Sequence, residues 1–249
     1  MKLPPGRSLR RLALAALILT PAGLFGQGVT VTGHVSLVPA AKRARAPAAH
    51  AGAVVWLTPL DQPEAYRTSP RPDPAGRFRL LQKDKRFTPH ILVVPAGAVV
   101  EFPNDDPFFH NVFSLFNGKR FDLGLYEAGA TRTVTFSAPG ICYIFCNIHP
   151  EMSAVVVVTR TPYHAVSGAA GDFAIVNVPP GRYKLNVWDE HCLPEALKAL
   201  AREVSISPSS FSLGDLRLPE SRSLLSKHKN LYGRDYDATP ASNPIYGPP

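Results

Sequence analysis

Sulfur and charge are both scarce in this sequence. Two methionines, one of them the initiator, and three cysteines are spread over 249 residues, so no Met-rich tract for storing a soft metal exists. Charged residues make up 18% against 45% hydrophobic, which argues against disorder over most of the chain. No apolar run is long enough for an internal membrane span. No Gly-x-Ser-x-Gly occurs, so nucleophilic hydrolysis lacks its usual elbow. Coiled-coil heptads and solenoid repeats are also missing. What is abundant is punctuation. Twenty-six prolines and 18 glycines cut the apolar residues into short blocks, which favours many short strands over long helices. The length suits one or two domains with a real core.

The formal charge of +8 is concentrated at the N-terminus. Residues 1–26 carry Lys2, Arg7, Arg10 and Arg11, then an apolar stretch from Leu12 to Leu19, then Pro21, Gly23 and Gly26. This order reads as a secretory signal peptide cut near Gly26/Gln27; a membrane anchor is the alternative, but the stretch is short for a span. Arg10-Arg11 admits a twin-arginine route. Removal leaves 23 basic against 19 acidic residues, too mild a surplus to argue for nucleic acid. The expectation is an exported protein, periplasmic or extracellular, with no membrane span in the mature chain. Cys142, Cys146 and Cys192 then form an odd set in an oxidising compartment, where sulfur usually needs a disulfide or a metal.

Alternation predicts strands at 29–38, 53–57 and 76–80, with a mobile Ala/Pro/basic loop at 39–51 and a Pro-rich linker at 59–74. A second block, 83–160, predicts strands at 90–94, 99–102, 131–136, 141–146 and 154–159. Beyond it, residues 171–188 read as two strands joined by Pro179-Pro180-Gly181. A short helix at 194–201 and strands near 203–206 and 211–216 follow, and residues 219–249 read as a flexible tail. The fold class expected is all-β, built of sandwiches.

The chemistry concentrates in Cys146-Asn147-Ile148-His149-Pro150-Glu151-Met152, a thiol, an imidazole and a thioether within seven residues. Upstream, the turn Asn104-Asp105-Asp106-Pro107 leads to His110. Cys-x-x-His alone points first to zinc. Adding a thioether and a remote histidine shifts the reading to copper cycling between Cu(I) and Cu(II), because soft sulfur suits Cu(I) and imidazole suits both states. His110, Cys146, His149 and Met152 are therefore the candidate metal ligands. Each also has a bland reading as core filler or a satisfied histidine.

These residues resemble a known family. Phe87-Thr88-Pro89-His90, Leu92-Val93-Val94, Gly97, Val99-Val100-Glu101-Phe102 and Asn104-Asp105 look like the opening strands of a cupredoxin. His110-Asn111-Val112 resembles its first ligand strand. Pro139-Gly140 and Phe145-Cys146-x-x-His149-Pro150-x-Met152 resemble its closing ligand loop, of the amicyanin and pseudoazurin kind. The match covers residues 85–159. It implies a Greek-key β-sandwich and a blue copper site with those four ligands. It also implies that Asn111 braces the ligand loop, while Phe108, Phe109, Phe113 and Phe145 exclude water from the copper. Where the family often has a buried Tyr this chain has Cys142, which is read as a buried free thiol, with pairing to Cys192 left open.

The flanks resemble a carboxypeptidase regulatory-like, transthyretin-like β-sandwich. The residues are Gly33-x-Val35 and Ala53-Val54-Val55-Trp56-Leu57, then Gly171-x-Phe173-x-Ile175 and Val178-Pro179-Pro180-Gly181-x-Tyr183-x-Leu185-x-Val187. The resemblance implies a host at 27–82 and 161–218 with the cupredoxin, 83–160, inserted in or adjacent to it. Such hosts scaffold or dock and are not enzymes.

Three functions compete. One is an exported one-electron carrier working with a redox partner protein through His149 and Pro150 as the exit edge. The others are non-redox copper delivery and a surface or adhesion module with a structural metal. Segment 83–160 carries seven basic and seven acidic residues, so an apolar rather than a steered docking face is expected. Multicopper oxidase and copper nitrite reductase activities are disfavoured because none of the eight histidines is spaced His-x-His. The chain is not expected to be an enzyme.

Overall fold

A computed structural model describes residues 28–39, 48–61, 78–115, 119–209, 211–221 and 228–236. The leader expected at 1–26 and most of the linker expected at 59–74 lie outside the described residues.

The described residues begin with β1 (Val29–Val38), β2 (Ala48–Ala49) and β3 (Val54–Pro59). The central block holds β4 (Phe78–Arg79), β5 (Leu81–Lys83), β6 (Arg86–Thr88), β7 (Ile91–Pro95) and β8 (Ala98–Pro103). It continues with β9 (His110–Ser114), β10 (Phe121–Tyr126), β11 (Thr131–Phe136), β12 (Gly140–Cys146) and β13 (Ser153–Thr159). Then come β14 (His164–Val166), β15 (Asp172–Val178), β16 (Gly181–Trp188), α1 (Pro194–Leu200), β17 (Arg202–Ile206) and β18 (Phe211–Pro219). The all-β expectation holds, with one short helix among the described residues. That helix starts on Pro194, whose missing N–H costs nothing in the first turn, and buries Leu197.

Strands from the two ends of the sequence pair with each other. β1 lies between β15 (antiparallel) and β18 (parallel), while β3 lies between β14 and β16. These two sheets enclose Val31, Val35, Leu57, Ile175, Leu185 and Leu218. The Pro179-Pro180-Gly181 turn therefore does not close a hairpin; it carries the chain from one sheet to the other. Gly33 leaves the needed room here, because a Cβ at that position would run into the Phe173 ring.

The block between them makes its own pair of sheets. The larger has the order β10-β9-β12-β13-β7 and the smaller β11-β8-β4, around a core with Phe102, Val112, Ile144, Val156 and Phe136. The larger sheet is covered on both faces. Along β13, Ala154, Val156 and Val158 enter this core, whereas Val155 and Val157 enter the neighbouring core with Phe113 and Phe145. Two covered faces explain why β13 reads as an unbroken apolar run rather than an alternating one. Each buried valine contributes on the order of 1.5–3 kcal/mol. No helix among the described residues is long and apolar enough to cross a membrane.

Candidate metal centre

The two-residue period of β structure builds the site. β9 and β12 are antiparallel, with Cys146 opposite Val112 and Phe145 opposite Phe113. Directly opposed residues share a face, so Cys146, Val112 and, two residues earlier, His110 point the same way. Beyond Cys146 the chain turns back sharply. The Met152 N–H donates to the His149 carbonyl (3.1 Å), that of Cys146 to the Met152 carbonyl (3.2 Å), and that of Asn147 to the Asn111 carbonyl (2.9 Å). This turn brings His149 back over the end of β9.

The result is a triangle of donor atoms. Cys146 Sγ lies 3.6 Å from His110 Nδ1 and 3.6 Å from His149 Nδ1, and the two nitrogens are 3.2 Å apart. The point equidistant from all three is about 2.0 Å from each, close to the bond lengths that imidazole and thiolate make to a transition metal. The three residues thus form a group that could hold a metal ion. His110 and Cys146 are fully buried and His149 is 5% exposed. Met152 is fully buried in the same core and joined to Cys146 through the main chain.

His110 is held from behind. Its Nε2–H donates to Asp106 Oδ2 (2.8 Å), leaving Nδ1 free of a proton toward the triangle. Asp106 also accepts the amides of Asp84 (2.6 Å) and Lys85 (3.1 Å). Burial pushes the Asp106 carboxyl up, but the bonds from His110 and the two amides outweigh it and hold it below the usual carboxylate range. Asn104 shapes this loop, accepting the Asp106 amide (3.0 Å) and donating to the Phe108 carbonyl (2.8 Å). Burial lowers His110, against the pull of Asp106. Burial, with repulsion from His110 and Lys85, lowers His149 to about 4. Both imidazoles are therefore neutral and ready to donate a lone pair at neutral pH. Burial raises the Cys146 thiol, while the amides of Asn111, Ile148 and His149 work in the opposite direction as hydrogen bonds to sulfur.

The surroundings differ from the expected ones in four respects. Asn111 meets the ligand loop through its main-chain carbonyl, which accepts the Asn147 amide, whereas its side chain donates to Asp122 Oδ1 (2.6 Å) on β10. Phe145 and Phe113 face the other core, since odd and even positions alternate, and their rings pack together at 5.9 Å. Phe109 is 44% exposed, so Phe108 does the shielding, 5.4 Å from the His110 ring and 5.5 Å from that of His149. His149 is buried, which leaves Pro150 and Glu151 as the exposed edge of the loop. Cys142 and Cys192 are both buried and unpaired with each other.

Part of the stretch read as a tail folds onto the ligand loop. His228 stacks on Phe145 (4.1 Å between centroids) and its Nε2–H donates to the Pro150 carbonyl (2.6 Å). The Leu231 amide donates to Asn147 Oδ1 (2.7 Å), and the Tyr236 hydroxyl to the Cys146 carbonyl (2.7 Å). Residues 228–236 thus strap the loop at three points. The strap and Asp106 are the functional elements that sequence reasoning missed. For Asp106 the only available signal was an acid four residues before a candidate ligand in an Asn-led turn.

No protein-family model and no curated protein matches the chain. Among solved structures it is similar to a copper-containing nitrite reductase from Thermus scotoductus (26% identity, TM-score 0.32). That likeness covers 33% of this chain and 22% of that one, well under two thirds of its length. It is also similar to a purple cupredoxin from Nitrosopumilus maritimus (24% identity, TM-score 0.30), over 33% of this chain and 99% of that one. A third is an amicyanin carrying the substitution M98A in its Cu(I) form (21% identity, TM-score 0.32), over 34% and 83% of the two chains.

Proposed function

We propose that the chain is an exported mononuclear blue copper protein that holds one ion through His110, Cys146, His149 and Met152 and carries single electrons to or from a redox partner protein. The observation that carries this reading is the triangle of one thiol and two neutral imidazoles, with every proposed ligand at most 5% exposed. Copper bound there supplies a one-electron couple between Cu(I) and Cu(II), for which mixed sulfur and nitrogen donors are a compromise.

The residues around the ligands serve that task by resisting movement. Asp106 fixes the His110 tautomer and ring plane, three amides aim at the Cys146 sulfur, and the strap holds the loop from outside. Phe108 keeps water from the imidazoles. Donors this enclosed favour electron exchange across the loop edge over catalysis on a substrate, which would need access to the ion, so we infer no enzymatic activity. The exit edge is Pro150 rather than His149, since Pro150 is exposed and His149 is buried.

The pairing of β1 and β3 with strands beyond residue 160 supports an inserted arrangement, with a carboxypeptidase regulatory-like host on either side of the copper domain. Because β4 pairs with β8 and Leu80 joins the central core, that domain begins by residue 78 rather than at 83 and runs to 160, the host keeping β1 to β3 and 161–218. Potentiometry on the copper-loaded protein tests the carrier reading. A reversible one-electron couple is expected; copper bound without such a couple contradicts it.

A further inference from the structure

A second group of ligating side chains lies in the other sandwich, away from the triangle in both sequence and core. His50 precedes β3, while Asp189 and His191 sit in the turn between β16 and α1. His50 Nε2 is 2.7 Å from Asp189 Oδ2, and His191 Nδ1 is 3.3 Å from Asp189 Oδ1. The two imidazole rings meet edge to face at 5.2 Å. The three ligand atoms lie within 4.8 Å of one another.

Two features set this group apart from an ordinary hydrogen-bonded cluster. The first is charge. The Asp189 side chain is 1% exposed, and its ion-pair partners among the described residues are the two histidines alone, with no lysine or arginine. Next to it Glu190 pairs with His90, again an imidazole (3.1 Å). The partners of these two acids are thus imidazoles, with no lysine or arginine among the described residues, and a buried carboxylate such as that of Asp189 is costly without a permanent cation. A dication would meet that need.

The second is construction. The His50 amide donates to the Val35 carbonyl (3.1 Å), and its carbonyl accepts from Ser167 Oγ (2.7 Å). The His191 amide donates to Asp189 Oδ1 (2.8 Å), and its carbonyl accepts both the amide (2.6 Å) and the hydroxyl (2.8 Å) of Ser221. Four separate stretches of chain therefore fix the two histidines. The His191 side chain is 35% exposed, so solvent reaches the group from that side.

We propose that His50, Asp189 and His191 form a second metal site, taking a divalent first-row ion such as Zn2+ through two imidazole nitrogens and one carboxylate, with water completing the coordination. Nitrogen and oxygen donors without sulfur suit a divalent borderline ion and not Cu(I), so the site is chemically distinct from the triangle. An ion there ties the segment entering β3 to the turn leaving β16. That turn also reaches the start of β13, next to Met152, because Glu190 holds His90 Nε2 while His90 Nδ1 contacts the Ser153 carbonyl (3.1 Å). The inference does not depend on the copper reading.

The test loads the full-length protein, its His191→Ala variant and its Cys146→Ser variant with Zn2+, removes loose metal, and counts bound zinc per chain by mass spectrometry. Wild type should hold an ion that His191→Ala loses, with affinity at least about 100-fold weaker, and that Cys146→Ser keeps. If His191→Ala does not fold, His191→Gln takes its place. Zinc content and affinity unchanged in a folded His191 variant overturn the proposal, as does a wild-type protein whose only ion disappears in Cys146→Ser. Failure of the triangle to bind metal would show instead as Cys146→Ser matching wild type.

Discussion

Asp106→Asn is the sharpest perturbation of the candidate centre, because it changes one atom and leaves the shape intact. Oδ2 accepts from His110 Nε2 and the Lys85 amide, while Oδ1 accepts from the Asp84 amide. An asparagine that keeps its oxygen on Asp84 turns an NH2 group toward two N–H donors. Flipped, it orphans the Asp84 amide. Either way at least one buried donor loses its acceptor, at about 1–3 kcal/mol, and the surviving bonds lose their charge assistance, at about 1 kcal/mol more. The metal-free variant should therefore unfold in urea with a stability about 2–4 kcal/mol lower. His110 can escape the clash by moving its proton to Nδ1, but that nitrogen belongs to the triangle. Copper affinity, measured by competition with a chelator, should then fall about 10–100-fold. Stability within about 0.5 kcal/mol of wild type together with unchanged affinity would refute the role given to Asp106.

Two further outcomes follow from the strap and the seam. Replacing His228 by Ala and Tyr236 by Phe together removes two hydrogen bonds and a ring stack, worth about 2–4 kcal/mol locally. Amide exchange at Asn147 and Met152 should accelerate, and unchanged exchange there would show that the strap does not hold the loop. For the His90–Glu190 pair, the Glu190 bond raises His90 from 6.5, so its contribution is full below that value and fades as pH rises through the raised one. Burial raises Glu190, but His90, His191 and His50 outweigh it, so its contribution holds above 4.5 and fades as pH falls through the lowered value. The melting-temperature gap between wild type and Glu190→Gln should therefore be widest at about pH 5.5 and shrink by about pH 8. A gap independent of pH would contradict the pairing.

What could be read from the chain was local or periodic. Cys146, His149 and Met152 lie within seven residues, so their spacing marks them as candidates, and the alternation of β9 and β12 puts His110 on the same face as Cys146. Strand β13 was visible as an apolar run, although the reason for it, a sheet covered on both sides, requires the second sandwich. β10 was missed because its mixed burial and Gly124 break the alternation. Asp106 was hidden because its role depends on how Asn104 folds the loop. His50 and Asp189 are 139 residues apart, and nothing in either segment refers to the other. The 228–236 strap has the polar composition of a tail, and a few specific bonds rather than an apolar face dock it.

An absorption spectrum of the copper-loaded protein speaks most directly to the triangle of His110, Cys146 and His149. An intense visible thiolate-to-Cu(II) band that vanishes in Cys146→Ser is the predicted result. Copper bound with no such band, or a band that survives the substitution, would contradict the assignment.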